Sequence, residues 1–113
     1  MNREILPNAY KARVAREKIT EYLLCESHPD GHAKAAFFTK LGFTEKQWEV
    51  LAESLQKHGL TNPVVKTVRS EYGVSYCVEG PIETPGGVRP NIRTVWIVEE
   101  GVSEPRLITA YPV

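Results

Sequence analysis

Apolar residues in the first half of the chain recur at helical spacing. Ile19, Tyr22 and Leu23 fall on one face of a predicted helix, and charged residues lie on the opposite face. A second, shorter run at residues 32–41 is rich in alanine and predicts a helix that Gly42 stops. Between the two runs, the sequence SHPDGH contains proline and glycine and therefore predicts a turn.

The most regular helical pattern follows Gly42. Thr44 and Gln47 form a capping-box pattern at its start, and Gly59 is expected to end the helix. His58, which precedes that glycine, is interpreted as complementing the C-terminal end of the helix dipole. The apolar stripe that should face the core consists of Trp48, Leu51, Ala52 and Leu55.

The second half of the chain changes to the pattern of strands. Short turns are predicted near Glu71 and at residues 85–87, and a loop around Gly101 precedes the last strand. Four strands in succession, joined by short connections, favour an antiparallel meander. The chain is therefore predicted to be α+β, with N-terminal helices packed on a four-stranded antiparallel meander sheet. The four strand-like runs are residues 63–70, 73–79, 91–99 and 105–113.

The length of 113 residues favours a single domain, residues 1–113. We expect residues 16–58 to be mostly helical and residues 64–111 to form the sheet, with Leu51 and Trp96 in one shared core. No apolar run approaches the roughly 20 residues of a membrane span, and the N-terminus lacks the apolar core of a signal peptide. These features predict a cytoplasmic protein without a membrane partner.

The two cysteines, Cys25 and Cys77, stand alone in the sequence, and neither belongs to a CxxC pair. They lie in elements of different type, and the chain is long enough to fold without a covalent link. We therefore expect two free thiols in a reducing compartment.

Charge is balanced, with 14 basic and 14 acidic residues, which argues against a general nucleic-acid coat. In the second half, most arginines fall in the strand runs, and glutamates gather in likely loops such as EEGVSE. This pattern predicts either a local positive face on the sheet or ordinary surface pairs between arginine and glutamate. The arginines concerned are Arg69, Arg89, Arg93 and Arg106.

Alternation places polar groups on both faces of the last two strands. In the third strand Arg93 shares a face with Val95 and Ile97. In the fourth, strict alternation sets Leu107, Thr109 and Tyr111 on one face, and Arg106, Ile108 and Ala110 on the other. Because register decides which of these polar groups meet, the sequence leaves their partners open.

The segment HPDGHAK carries most of the candidate chemistry. His32 near a helix start suits a general acid or base, although a loop or helix-terminal histidine is the simpler interpretation. His28 and His32 would suit a metal if one helix held both, but Pro29 and Gly31 interrupt that helix and no third ligand is evident. The chain contains no Walker loop, GxGxxG, GxSxG or HExxH motif. We therefore expect no metal and no cofactor.

Two blocks of the sequence resemble those of a bacterial domain family. They are HPDGHAKAAFFTKLGF at residues 28–43 and IRTVWIVEEGVSEPRLITAYP at residues 92–112. The resemblance covers nearly the whole chain. Members of that family are small stand-alone proteins, common in cyanobacteria, and C-terminal modules of larger toxin-like proteins. Its layout of helices followed by a four-stranded meander is similar to the superfamily of barnase, EndoU, colicin and RelE-like ribonuclease toxins.

The resemblance to that superfamily implies metal-independent cleavage of RNA, with active residues on the concave face of the sheet and its helical rim. A base would remove the proton of the ribose 2′-hydroxyl, an acid would protonate the leaving oxygen, and a cation would stabilise the phosphorane. Arginine suits the last task because its planar fork binds phosphate oxygens. The implied catalytic residues are His32, Arg93, Thr109 and Tyr111, and the implied substrate contacts are Lys34, Arg106 and His28.

Two other functions remain open at this point. A catalytically inactive module could use the mixed face of the sheet to bind a protein, such as a small antitoxin-like product of a neighbouring gene, with arginines as interface anchors. The other is binding of a small ligand in a pocket between the helices and the sheet. Whether the protein is an enzyme is thus not decided by the sequence.

Overall fold

Helical elements precede the sheet in the computed structural model, which describes residues 4–113. Helix α1 is Arg16–Lys18 and continues directly into a π-helical segment at Ile19–Leu23. In that segment the N–H of Leu24 donates to the carbonyl of Ile19, five residues earlier, at 2.8 Å. Helix α2 spans His32–Lys40, helix α3 spans Trp48–Thr61, and a 3-10 turn lies at Ala9–Lys11.

The sheet is a four-stranded antiparallel meander in the order β1-β2-β3-β4. The alternating patterns of the second half thus form strands, and the predicted α+β fold with its meander sheet is confirmed. The strands are β1 at Val64–Ser70, β2 at Gly73–Pro81, β3 at Asn91–Glu99 and β4 at Arg106–Pro112.

The helices cover one face of the sheet. Ile92, Thr94 and Trp96 of β3 point into that covered face, and all three are fully buried. Leu51 of α3 belongs to the same core cluster as Trp96, as expected. Arg93 and its neighbours at alternate positions lie on the other face, which we call the open face, and are only half-buried.

A β-bulge corrects the facing predicted for β4. Val95 pairs with Thr109, but the next residue of β3, Trp96, pairs with Leu107, so β4 contains one extra residue there. Leu107 and Ala110 are therefore both buried against the helices, although strict alternation had placed them on opposite faces. Thr109 pairs with Val95, which lies on the same face of β3 as Arg93. Thr109 therefore lies on the open face as well.

Helix α3 continues past Gly59, so the prediction that this glycine ends the helix is wrong. The helix ends at Thr61. Gly59 is buried against the indole of Trp96, where an added Cβ would lie 3.0 Å from Cζ2. The glycine is thus required for close packing of α3 on β3 and does not act as a helix stop.

His58 lies in the last turn of α3, but its side chain does not complement the helix dipole as predicted. Its ring is 1% exposed and lies between α3 and the sheet. Nδ1 is 3.0 Å from Thr94 Oγ1, and Nε2 is 3.0 Å from the carbonyl of Gly80. Burial lowers the pKa of His58, despite the opposing effect of backbone hydrogen bonds. His58 therefore packs as a neutral core residue.

The two cysteines lie in different parts of this fold. Cys25 follows the π-helical segment, whereas Cys77 is in the middle of β2, and both are half-buried free thiols. Across residues 4–113, no helix combines the length and the apolar character that crossing a membrane requires.

Candidate functional site

Tyr22 and Thr109 join the helical layer to the last strand. The Tyr22 hydroxyl lies 3.1 Å from Thr109 Oγ1, although 87 residues separate them in sequence. Tyr22 belongs to the π-helical segment, and such irregular turns are frequent at functional sites. The contact lies at β4, the last strand of the sheet, and both residues are half-buried.

Two lysines flank the Tyr22 ring. Lys18 Nζ and Lys34 Nζ are each 5.3 Å from its centroid, within the range of a cation–π interaction. Lys34 is in the first turns of α2 and also donates to the carbonyl of Asp30 at 3.3 Å. The side chains therefore concentrate positive charge around one phenol.

His28 completes this group from the turn before α2. Its ring meets the Tyr22 ring edge to face, with centroids 5.0 Å apart. Its Nδ1 accepts the N–H groups of Asp30 and Gly31, each at 3.0 Å. An Nδ1 that accepts hydrogen bonds leaves the proton of the neutral ring on Nε2, so His28 presents a donor.

Gly31 allows the turn to approach Tyr22 this closely. A Cβ at position 31 would collide with the Tyr22 carbonyl oxygen and would lie 3.1 Å from Cδ1 of its ring. Gly31, which interrupts the helical pattern in the sequence, therefore also lets the turn and α2 lie close to the π-helical segment. We call the group formed by Tyr22, His28, Lys34 and Thr109, with Lys18 beside it, the Tyr22 cluster.

The pKa of Tyr22 is lowered from its usual value of 10.0. Burial is the largest single influence and acts to raise it. The hydrogen bond with Thr109 and the hydrogen bond and charge of Lys34 act in the opposite direction, as does the charge of Lys18, and together they outweigh burial. The cluster thus favours the phenolate form of Tyr22 relative to a free tyrosine.

Arg93 lies nearby on the open face. It is opposite Tyr111 in β4 and opposite Glu79 in β2. Its Nε donates to Glu79 Oε2 at 2.6 Å, and a second guanidinium nitrogen also contacts this carboxylate. These contacts, first with Glu79 and then with Tyr111, raise the pKa of Arg93, so its charge is permanent. Thr109 lies two residues from Tyr111, about 7 Å along β4.

The remaining predicted site residues, His32 and Arg106, make their own contacts outside this group. His32 is the first residue of α2, is exposed, and has Nδ1 3.3 Å from the carbonyl of Pro29. Arg106 pairs with Ile97, four residues from Arg93 and so about 13 Å away along β3. Its Nε donates to Glu99 at 3.0 Å. Arg106 therefore contributes to a different part of the open face.

Arginine–glutamate pairing is the better of the two interpretations of the charge pattern. The arginines of β3 and β4 form salt bridges with glutamates of the neighbouring strand. Arg89 forms one with Glu83 in the loop before β3. Such pairs reduce the net positive potential of the open face. The three pairs are Arg89–Glu83, Arg93–Glu79 and Arg106–Glu99.

Tyr22 is the member of the cluster that the sequence did not single out. Its spacing with Ile19 and Leu23 predicted a helix face toward the core, and Tyr22 does pack against the core while staying half-buried. The sequence offered one signal, since a tyrosine on an apolar stripe needs a partner for its hydroxyl. That partner, Thr109, became identifiable only with the fold.

Within residues 4–113, no group of three or more His, Cys, Asp or Glu side chains is arranged to hold a metal ion. The chemistry available to the Tyr22 cluster is that of hydroxyl, imidazole and ammonium groups. These groups donate hydrogen bonds to anions and exchange protons.

A family model, described as "Domain of unknown function (DUF6883)", matches residues 5–113. The chain belongs to the DUF6883 family. This DUF6883 domain shows no significant similarity to a curated protein.

Among solved structures, this DUF6883 domain is similar to a chain of a contact-dependent growth inhibition toxin–immunity protein complex from Klebsiella pneumoniae 342. The TM-score is 0.71 and the sequence identity is 20%, over 92% of this chain and 95% of that chain. At this identity the similarity establishes a shared fold, and the match extends over nearly all of both chains.

Proposed function

We propose that this domain is a toxin-type ribonuclease that cleaves RNA phosphodiesters without a metal ion. The observation that carries the proposal is the Tyr22 cluster, which gathers Lys34, His28 and Thr109 around one phenol beside the open face. Each of these groups can donate a hydrogen bond to a phosphate oxygen, and the lysine adds a full positive charge. A phosphodiester with its negative charge fits this combination.

The similar fold in a toxin–immunity protein complex supports a toxin-type or immunity-type role, of which we propose the toxin type. One chain of that assembly shares the topology of this domain over nearly its full length. By itself, a fold does not define an activity, so the activity proposed here rests on the side chains.

In the proposed reaction, Lys34 and His28 bind the scissile phosphate, and Thr109 and Tyr111 contact the phosphate or the adjacent nucleotide. Arg93 stabilises the negative charge that develops on the phosphorane, because its guanidinium stays charged and has further N–H donors beyond those on Glu79. His32 exchanges a proton through Nε2, since its Nδ1 is engaged with Pro29. Arg106 contacts RNA beyond the cleaved bond.

The test is an RNA cleavage assay with varied substrates, tRNA included, in the presence of a chelator. Lys34→Gln should lower cleavage by on the order of 100-fold, as removal of a pre-arranged electrostatic donor does. Lys40→Gln is the matched control, because Lys40 is an exposed lysine at the other end of the same helix. A folded wild-type protein that cleaves none of the RNAs would reject the ribonuclease proposal.

A second candidate function, binding of a protein partner, is favoured by strand β1. In the described part of the chain, β1 is an edge strand whose outer side meets another segment at Val64, where the N–H donates to Glu4. Val65 and Val68 are 50% and 47% exposed. Lys66 is exposed as well, and the strand as a whole has two basic residues and no acidic one. This edge suits pairing with an acidic strand of another protein.

The partner candidate is tested with the purified product of the neighbouring gene. Titration calorimetry should detect a complex, and Arg69→Glu should weaken it while Lys40→Glu leaves it intact. The expected loss follows from reversing charge on an edge that pairs with acidic residues. If Arg69→Glu leaves the affinity of the complex unchanged, the interface lies elsewhere on the protein. If no complex forms at all, this candidate function is rejected.

A further inference from the structure

Tyr22 is the central group of the cluster, and the functions given above to its neighbours leave it without a role. Its hydroxyl lies 3.1 Å from a strand hydroxyl, and the Lys34 ammonium is 5.3 Å from the centroid of its ring. We propose that Tyr22 is a catalytic residue of the proposed RNA cleavage, whose phenol oxygen accepts the proton of the ribose 2′-hydroxyl. This inference rests on the proposed ribonuclease function and adds to it the identity of the base.

Four elements around Tyr22 each place a positive or neutral donor group against it. Lys18 comes from α1, His28 from the turn, Lys34 from α2, and Thr109 from β4. A phenolate is stabilised by ammonium groups and by a hydroxyl that donates to its oxygen. The surroundings thus lower the cost of keeping the oxygen deprotonated, and the lowered pKa of Tyr22 agrees with this geometry.

Thr109 has a positioning function in this arrangement. Its Oγ1 lies 3.1 Å from the Tyr22 oxygen and can donate its hydrogen there once Tyr22 is deprotonated. Its contact with the adjacent nucleotide is then made as an acceptor, since the hydroxyl has one hydrogen only. The hydrogen bond would hold the phenol at the β4 edge, within reach of a nucleotide on the open face. A methyl group in place of the hydroxyl would leave the phenolate with one donor fewer.

The proposed step balances in atoms and charge. The Tyr22 phenolate takes the proton of the 2′-hydroxyl, and the 2′-oxygen forms a bond to phosphorus. The bond from phosphorus to the 5′-oxygen of the next nucleotide breaks, and that oxygen takes a proton from His32. The products are a 2′,3′-cyclic phosphate and a 5′-hydroxyl end. Water then returns a proton to His32 and removes one from Tyr22.

The first experiment compares cleavage by wild type, Tyr22→Phe and the control Tyr72→Phe. Removing a general base should slow cleavage by about 100-fold or more. Tyr72 is 71% exposed at the β1–β2 turn, and its substitution should leave the rate unchanged. On the acidic side of the pH–rate profile, where the proton donor of the reaction is still present, the rate of wild type should rise with pH as Tyr22 loses its proton. This rise should be missing in Tyr22→Phe.

The second measurement needs no RNA. Tyrosine ionisation followed by ultraviolet absorbance should show one of the five tyrosines titrating below the others in wild type. That component should vanish in Tyr22→Phe and move to higher pH in Lys34→Gln, because the variant removes a cation beside the phenol. A thermal melt of each variant confirms folding. If Tyr22→Phe does not fold, the Lys34→Gln shift in both the absorbance titration and the pH–rate profile takes its place.

Three outcomes overturn the inference, and they differ from one another. Cleavage by Tyr22→Phe at the wild-type rate, with the same pH profile, rejects Tyr22 as the base while the ribonuclease proposal stands. Absence of cleavage by the wild type rejects both. A pH–rate rise that does not move in Lys34→Gln would likewise assign it to a group other than Tyr22.

Discussion

Thr94 Oγ1 lies 3.0 Å from Nδ1 of His58, deep in the core between α3 and β3. The same oxygen accepts the indole N–H of Trp96 at 2.8 Å. Because Nε2 of His58 must donate to the carbonyl of Gly80, Nδ1 is the acceptor, and Thr94 donates to it. The four groups form one chain of hydrogen bonds in which each buried donor has an acceptor.

Thr94→Val should strongly destabilise the fold. Valine has nearly the same shape but leaves His58 Nδ1 and the Trp96 N–H without partners, and each buried unsatisfied group costs about 1–3 kcal/mol. The measurement is the free energy of unfolding in urea. Thr67→Val on exposed β1 is the control and should change it by no more than about 0.5 kcal/mol. Equal effects of the two substitutions would show that the buried chain of hydrogen bonds contributes little.

Stability should fall on mild acidification because of His58. Above the ordinary pKa of 6.5 both states are neutral, so the contribution of the buried ring is fully present there. Below pH 6.5, His58 of the unfolded chain binds a proton, whereas the buried ring of the folded state stays neutral. The free energy of unfolding therefore decreases until the pH falls below the lowered pKa of the folded state. The unfolding free energy of wild type relative to His58→Gln should therefore shrink from pH 7.5 to pH 5. A difference that stays constant over this range would contradict a neutral buried His58, and His32→Gln serves as the exposed control.

Gly59→Ala should destabilise the protein, against the usual preference of helices for alanine. In an exposed helix the change is favourable by about 1 kcal/mol. Here the new methyl group would press on the Trp96 indole, whose N–H is fixed by Thr94, and overpacking of this kind costs about 1–3 kcal/mol. Gly86→Ala, with only an ordinary contact at 3.5 Å, should be near neutral in the same thermal melts. A stabilised Gly59→Ala would mean that the indole can move aside.

Arg93 and Arg106 should differ in the step of the reaction that they affect. Arg93→Ala should lower kcat by on the order of 100-fold, since the proposed contact forms with the phosphorane. Arg106→Ala should mainly raise KM, because Arg106 lies about 13 Å along β3 from Arg93 and contacts RNA outside the cleaved bond. Steady-state kinetics with thermal melts of both variants provide the measurement. Loss of the folded state in Arg93→Ala would instead make its pair with Glu79 a structural one.

The fold was largely determined by short-range pattern. Helical spacing at Leu51 and Leu55, turn residues around Glu71 and 85–87, and alternating strands were enough to predict helices followed by a meander. These signals are local, and each agrees with the elements that formed. The cysteine prediction, which concerns the free thiols in solution, remains to be tested by mass spectrometry.

The tertiary structure decided which polar groups meet. The bulge in β4 cannot be read from alternation, because one extra residue exchanges the faces of every residue that follows. His58 and Gly59 looked like a helix terminus in sequence, and only packing against Trp96 and Thr94 gave them their positions. Tyr22 is the clearest case. Its spacing specified a helix face, but its partner Thr109, 87 residues away, was determined by the position of β4 in the sheet.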